Sequence, residues 1–264
     1  MNRKIILFCL QINLFCFAQL SNPTTTVYYT QIESINRGSK NGPERLATLI
    51  FDKEKSIYTT QKDSLDNIAE TKLREFYPEE KGGGSVYTGL PATKNGSQVY
   101  TNNKRDTVWS SLLRGGLQYM KEPKVKISWK FENETKKIGS YICNKATTKF
   151  RGRDYTAWYT KQIPVPYGPW KLQGLPGLIL EACDTNQEIF YTYKSIEYPS
   201  KIDTSEIKPI YNEKNKWLDF KGYLDFCDKN AQSIYERMIM LSKQFPGETP
   251  VKGKIEENFK EISE

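Results

Sequence analysis

The residue types that could do chemistry are sparse in this sequence, and one is missing altogether: its 264 residues include no histidine. That excludes Ser-His-Asp and Cys-His nucleophilic catalysis, His-ligated metal centres and imidazole pH switches. Ser205-Glu-Ile-Lys208 has the Ser-x-x-Lys spacing of hydrolases in which one helical turn lays the amine on the hydroxyl. Pro209 follows directly and disfavours helix at Lys208, so the spacing reads as chance. Paired carboxylates could hydrolyse glycosides without histidine. Glu79-Glu80, beside a lysine and glycines, reads as a solvated pair. Gly82-Gly-Gly-Ser85 lacks the strand, lysine and helix of a phosphate loop and reads as a linker. No catalytic residue, cofactor-binding residue or metal ligand is assigned, and no cofactor is expected.

Five cysteines are present. Cys9 and Cys16 fall in an N-terminal segment with a basic start (Arg3, Lys4), apolar runs over 5–10 and 14–18, and the small residue Ala18. This is the pattern of a secretory signal peptide over 1–19, too short and interrupted to span a bilayer. Its removal leaves Cys143, Cys183 and Cys227, an odd number that keeps at least one thiol free. No pair has CxxC spacing, and structural zinc is not expected. The formal charge of +8 is spread along the length in lysines, which reads as a solvated surface rather than a nucleic-acid face. No later stretch is long and apolar enough for a membrane helix.

These residues must be positioned by a β-rich framework. Strand-like runs occur at 26–35, 46–51 and 56–60, separated by turn residues around 36–38 and 41–43. Residues 62–75 have weak helical spacing, and 77–96 reads as a long loop. Further strands are expected at 98–101, 107–109 and 125–131, the last with Val125, Ile127, Trp129 and Phe131 on one face. Residues 140–150, with Ile142, Ala146 and Phe150 sharing a face, turn through Arg151-Gly-Arg-Asp154 into a strand at 155–160. A proline-rich crossing over 163–170 precedes strands at 178–182 and 188–198. This register places Cys143 and Cys183 two strand spacings apart, roughly 10 Å, too far for an easy disulfide. Phe220, Leu224, Cys227, Ala231, Ile234, Met238 and Leu241 recur at gaps of four and three, one stripe of a C-terminal helix. Cys227 in that stripe reads as a small buried residue.

The crossing carries the most distinctive text. Gly174-Leu-Pro-Gly-Leu-Ile179, with Ile138–Thr148, Tyr155-Thr-Ala-Trp-Tyr159 and Ile163-Pro164 before it, resembles the GLPGLI family of exported Bacteroidetes proteins across about residues 129–198. The resemblance implies an extracytoplasmic β-rich protein and supplies no activity, cofactor or catalytic residue. Cys183 stands where a more ordinary strand residue would be expected. Physically, Gly174, Leu175, Pro176, Gly177, Leu178 and Ile179 read as a rigid turn. Pro176 pre-sets φ at the second position, and Gly177 supplies φ > 0 at the third before the chain enters a strand. Asp63-Ser64-Leu65 and Asp106-Thr107-Val108 match a short Asp-Ser/Thr-aliphatic O-glycosylation pattern of Bacteroidetes periplasmic proteins, making Ser64 and Thr107 candidate acceptors.

With 17 tyrosines, 12 phenylalanines and 5 tryptophans, aromatic side chains could line a groove for a peptide, glycan or acyl chain, or simply fill the core. Trp158, Tyr167 and Trp170, on or beside the crossing, are the candidate ligand or partner contacts. The expected fold is mostly β (α+β): a curved antiparallel sheet or half-open barrel with one main C-terminal helix. It forms a single domain over 20–245, followed by a charged tail over 246–264. The expected function is that of an exported, periplasmic or secreted, non-enzymatic protein binding an envelope protein or small ligand. The alternatives are a histidine-free hydrolase with paired carboxylates and an envelope assembly factor.

Overall fold

The computed structural model describes residues 23–34, 40, 42–66, 75–79, 83–87, 92–113, 116–209 and 216–244. The expected signal peptide over 1–19 and the tail over 246–264 lie outside them. Strands β1 (Thr25–Glu33), β2 (Glu44–Phe51) and β3 (Lys55–Thr60) follow the first three β-branched and aromatic runs. They pair as an antiparallel meander that continues through β6 (Ser97–Asn102), β7 (Thr107–Leu113) and β8 (Leu117–Pro123). Between them lie a single helical turn, α1 (Asp63–Asp66), and a separate hairpin of β4 (Glu75–Glu79) and β5 (Gly83–Tyr87). The loop expected over 77–96 thus contains most of a hairpin. Glycine carries little strand propensity, yet its backbone can still complete a ladder.

A second antiparallel meander follows: β9 (Lys130–Ile138), β10 (Tyr141–Phe150), β11 (Arg153–Thr160), β12 (Leu178–Asp184) and β13 (Ile189–Glu197). β1 joins the two, pairing with β13 from Thr26↔Glu197 to Glu33↔Ile189. The result is one open sheet of 12 strands, ordered β14-β8-β7-β6-β3-β2-β1-β13-β12-β11-β10-β9, where β14 (Trp217–Leu218) adds parallel to β8. The sheet is strongly curved: Glu122 of β8, near one edge, ion-pairs with Arg151 at the β10–β11 turn, near the other. A curled, unclosed sheet with one main helix, α2 (Phe220–Gln244), is the observed architecture.

The curl is filled by the crossing between β11 and β12, not by a helix. Tyr167, Trp170, Leu172 and Leu175 are buried there against Val27, Leu49, Phe51 and Tyr155. A buried irregular segment must satisfy its own polar backbone. It does so through Gly174 N–H to Pro166 O (2.9 Å), Leu178 N–H to Ile163 O (2.9 Å) and Ile179 N–H to Tyr167 O (3.0 Å). The indole of Trp129 donates to Gln173 O at 2.9 Å, and the Tyr29 hydroxyl to Ile179 O at 2.7 Å.

Three local expectations are corrected. Residues 124–129 form no strand, and the ladder begins at Lys130; Phe131 is 59% exposed while Ile127 is buried. This stretch carries the chain from β8 to β9 at opposite edges of the sheet, and alternation alone cannot distinguish a crossing from a paired strand. On β10, Ala146 and Phe150 are buried as expected, but Ile142 is 54% exposed and Cys143 fully covered, beside a shift in the β9–β10 register between Asn144 and Ala146. On α2, Phe220 and Cys227 are buried with Tyr223, and Leu224 packs beside them against Met120, while Ile234 and Met238 are about half exposed. The sheet edge offered by β8 and β14 covers the start of the helix, and the stripe emerges into solvent at Ile234 and Met238.

Candidate functional site

In the hexapeptide the left-handed position expected at Gly177 falls at Gly174 instead. Gly174 takes the left-handed conformation, φ +90°, whereas Gly177 does not. Gly177 is instead held by close approach: a β-carbon there would lie 2.1 Å from Thr160 O. Leu178 and Ile179 are fully buried at the start of β12. Trp170, itself at φ +54°, packs on Phe150 and Tyr155 at ring-centroid distances of 5.7 and 6.3 Å. Tyr167 stacks on Phe51, and its hydroxyl accepts from Asn103 Nδ2 at 2.8 Å, with burial pushing its ionisation upward. Trp158 lies half-buried on another face, with Lys136 Nζ 4.6 Å from its ring centre and ion-paired to Glu181. The three candidate contacts are therefore not brought together around an opening. Ser64 is exposed on α1, and Thr107 is half-buried at the first position of β7.

Nor does the Ser-x-x-Lys spacing become a helical pair. Ser205 sits in an isolated 3-10 turn, Thr204–Glu206, capped by Asp203, and the chain leaves helical geometry at Ile207. Among the described residues no group of His, Cys, Asp or Glu could hold a metal ion. No disulfide joins Cys143, Cys183 and Cys227 to one another. Burial raises the Cys143 thiol to about 11 and that of Cys183 above its ordinary value, opposite to the shift of a nucleophilic cysteine.

The buried charges form two locks inside the curl. Glu122 binds both Arg151 and Lys171, all three nearly inaccessible, tying β8 to the β10–β11 turn and to the crossing. Arg151, at φ +52°, also lays its guanidinium 3.8 Å from the ring centre of Phe220, fastening the start of α2. Arg153 bridges Asp184 (2.7 Å) and Glu188, while Asp184 Oδ1 accepts from the backbone N–H groups of Glu188 and Ile189. The Asp184 and Glu188 carboxylates converge on one guanidinium, and Asp184 also takes two backbone donors, a geometry that fixes the β12–β13 turn.

An opening with unspent polar groups lies elsewhere, on β6 and β7. The register sets Gln98 opposite Ser111 and Tyr100 opposite Trp109. Period-2 alternation puts these four on one face. Tyr119 and Trp217 extend that face across β8 and β14. The rings form two tilted pairs, Tyr100–Trp109 and Tyr119–Trp217, each with centroids 5.6 Å apart. Tyr100, Trp109 and Trp217 line a shallow depression together with Gln98, Ser111 and Pro209. Ser110 also borders it, but by alternation its side chain shares the opposite face with Val99 and Met120. Ser111 is 4% exposed, and neither its hydroxyl nor Gln98 Oε1 has a hydrogen-bond partner among the described residues. Among the described residues no carboxylate, ammonium or guanidinium lines the depression. The linear sequence could not single out these residues, because only the β6–β7 register and the parallel addition of β14 assemble them.

Residues 151–181 match the model of a family described as a protein of unknown function, Porph_ging. The match covers the β10–β11 turn, β11, the whole crossing and the start of β12, the segment that carries Arg151, Arg153, Lys171 and the hexapeptide. No curated protein matches the chain. Among solved structures it is similar to PNGF-II in two crystal forms. One gives a TM-score of 0.50 at 17% identity and the other 0.49 at 18%, each over 77% of this chain and 32% of the PNGF-II chain. The chain thus spans about a third of PNGF-II's length, and the likeness is one of fold.

Proposed function

We propose that this chain is an exported, GLPGLI-type protein of the bacterial envelope that binds a small ligand without transforming it, and that the aromatic depression on β6 and β7 is its ligand seat. The observation that carries the reading is Ser111: a buried hydroxyl with no hydrogen-bond partner among the described residues, bordering an opening beside Gln98 Oε1, of which the same holds. Buried polar atoms are costly unless hydrogen-bonded, so a site that keeps two of them at an opening is suited to a ligand that completes them. Export is supported by the basic and then apolar start over 1–19, and the GLPGLI assignment by Gly174–Ile179 within the matched segment. The envelope-partner reading is favoured by a different feature, the exposed apolar end of α2 at Ile234, Met238 and Met240.

Native mass spectrometry of the protein purified from the cells that make it tests the proposal. The expected spectrum is a chain shortened by its leader that carries a non-covalent small-molecule adduct, lost in Ser111→Ala. A bare chain in stoichiometric complex with another protein would overturn the small-ligand reading in favour of an assembly role.

A further inference from the structure

We infer that the outer half of α2 is a docking face for the chain's own C-terminal segment, residues 254–264, which lies antiparallel on it as a second helix. α2 runs for 25 residues, and among the described residues the apolar cluster that seats it beside Met120 of β8 ends at Cys227. Residues 228–244 carry the helix on for roughly 25 Å. Along them Ala231, Ile234, Tyr235, Met238 and Leu241 recur at helical spacing, the pattern of a face that packs on a partner. Ile234 is nevertheless 51% exposed and Met238 47%, so water meets a strip of apolar surface and not a single residue.

The sequence that follows α2 offers a stripe to match. Ile255, Phe259 and Ile262 are spaced by four and three, as are Ile234, Met238 and Leu241, so both stripes are about 10 Å long on a helix. Pro246-Gly247, Pro250 and Gly253 separate the two stretches and interrupt helical continuation. The link of 245–253 can reach about 30 Å, whereas packed helices lie roughly 8–10 Å apart, so the reversal is well within its span. Charge selects this occupant over a second copy of α2. The segment carries Glu256, Glu257, Glu261 and Glu264 against Lys254 and Lys260, while residues 229–244 carry Lys229, Arg237 and Lys243 against Glu236. A second α2 would bring basic surface to basic surface; the segment brings acidic surface to it. The short tether also gives the segment a local concentration in the millimolar range, far above that of another copy at micromolar protein. An envelope protein that binds this face must then displace the segment.

Hydrogen exchange read by mass spectrometry on the full chain at micromolar concentration tests the docking, with a synthetic peptide of residues 254–264 as reference. So short a helix is marginal alone in water, so the peptide supplies the undocked rate. Amides over 255–262 are expected to exchange at least about tenfold more slowly in the protein than in the peptide. Ile234→Gln combined with Met238→Gln should abolish that protection while β1 and β13 keep theirs, which shows the sheet intact. If β1 and β13 lose protection in that variant, Phe259→Gln takes its place, with faster exchange over 230–244 as the expected result. Exchange of 255–262 at the peptide's rate in the unaltered chain would overturn the docking. Protection that survives the α2 substitutions, or an unchanged 230–244 in Phe259→Gln, would place the segment on another surface and overturn the assignment to α2. Protection lost on dilution, together with a dimer mass in sedimentation, would overturn the intramolecular contact in favour of a second copy.

Discussion

Glu122 gathers much of the interior charge, since it pairs with both Arg151 and Lys171 and so binds β8 to the β10–β11 turn and to the crossing. Removing one partner of a buried ion pair leaves an uncompensated charge and costs about 3–5 kcal/mol. Glu122→Gln removes the carboxylate from two buried ion pairs, whereas Lys171→Met leaves Glu122 still paired with Arg151. Urea denaturation should therefore show a loss of about 3–5 kcal/mol for Glu122→Gln and a distinctly smaller loss for Lys171→Met. Equal losses would mean that the lock is not centred on Glu122. None of this was legible in the sequence: Glu122, Arg151 and Lys171 read there as members of a dispersed charge, because pairing across a curved sheet leaves no mark of spacing.

At the scale of elements, the crossing between β11 and β12 does what a packed helix does in many α+β folds, and it succeeds because its backbone is satisfied internally. Its tolerance is correspondingly low. Gly177 lies where a β-carbon would meet Thr160 O at 2.1 Å, so Gly177→Ala must push the crossing away from β11. Overpacking of this kind costs typically 1–3 kcal/mol. In a chain of this size each kcal/mol lowers the melting temperature by about 2–4 °C. A drop of about 2–12 °C in thermal unfolding is expected, and an unchanged midpoint would show that the crossing yields freely. The turn character of the hexapeptide was legible from Pro176 and its glycines. Which glycine needs the left-handed conformation and which needs only the missing side chain was not, because that depends on Thr160 from the preceding strand.

Across the whole molecule, the sheet behaves as one body because β1 is bound on both sides, by β2 and by β13, and the core runs through both meanders. Groups distributed over that core share a preference for their uncharged forms. Burial raises Cys143 from 9.0 to about 11, and Tyr29 and Tyr58 well above 10.0. For a group raised on folding, the stabilisation is complete below its unfolded value and is lost as pH climbs through the folded one. Stability should thus show no loss from these groups up to about pH 8, fall between pH 9 and about 11 as the unfolded thiol ionises first, and fall further as the tyrosines join. Chemical denaturation across that range checks the course, and Cys143→Ala should remove the part of the decline that begins near pH 9. A decline that starts at the same pH in the variant would remove Cys143 as its cause.

The sequence by itself determined the local grammar. β-branched and aromatic runs broken by turn residues became two meanders, a four-and-three stripe became α2, and the missing histidine excluded whole classes of chemistry. These properties are set by backbone propensity and side-chain period within a few residues, and they can be read along one chain. The tertiary structure alone decided the joining of the meanders through β1 and β13, the curl that brings Glu122 to Arg151, and the fate of the aromatics. Trp170 and Tyr167, prominent in the sequence, were drawn into the core because the crossing fills the curl. Trp109 and Trp217, 108 positions apart in the sequence, came to share one depression because β14 adds beside β8. Contacts between distant segments depend on register and on which surface each strand finds free, and neither is encoded within the reach of a local pattern.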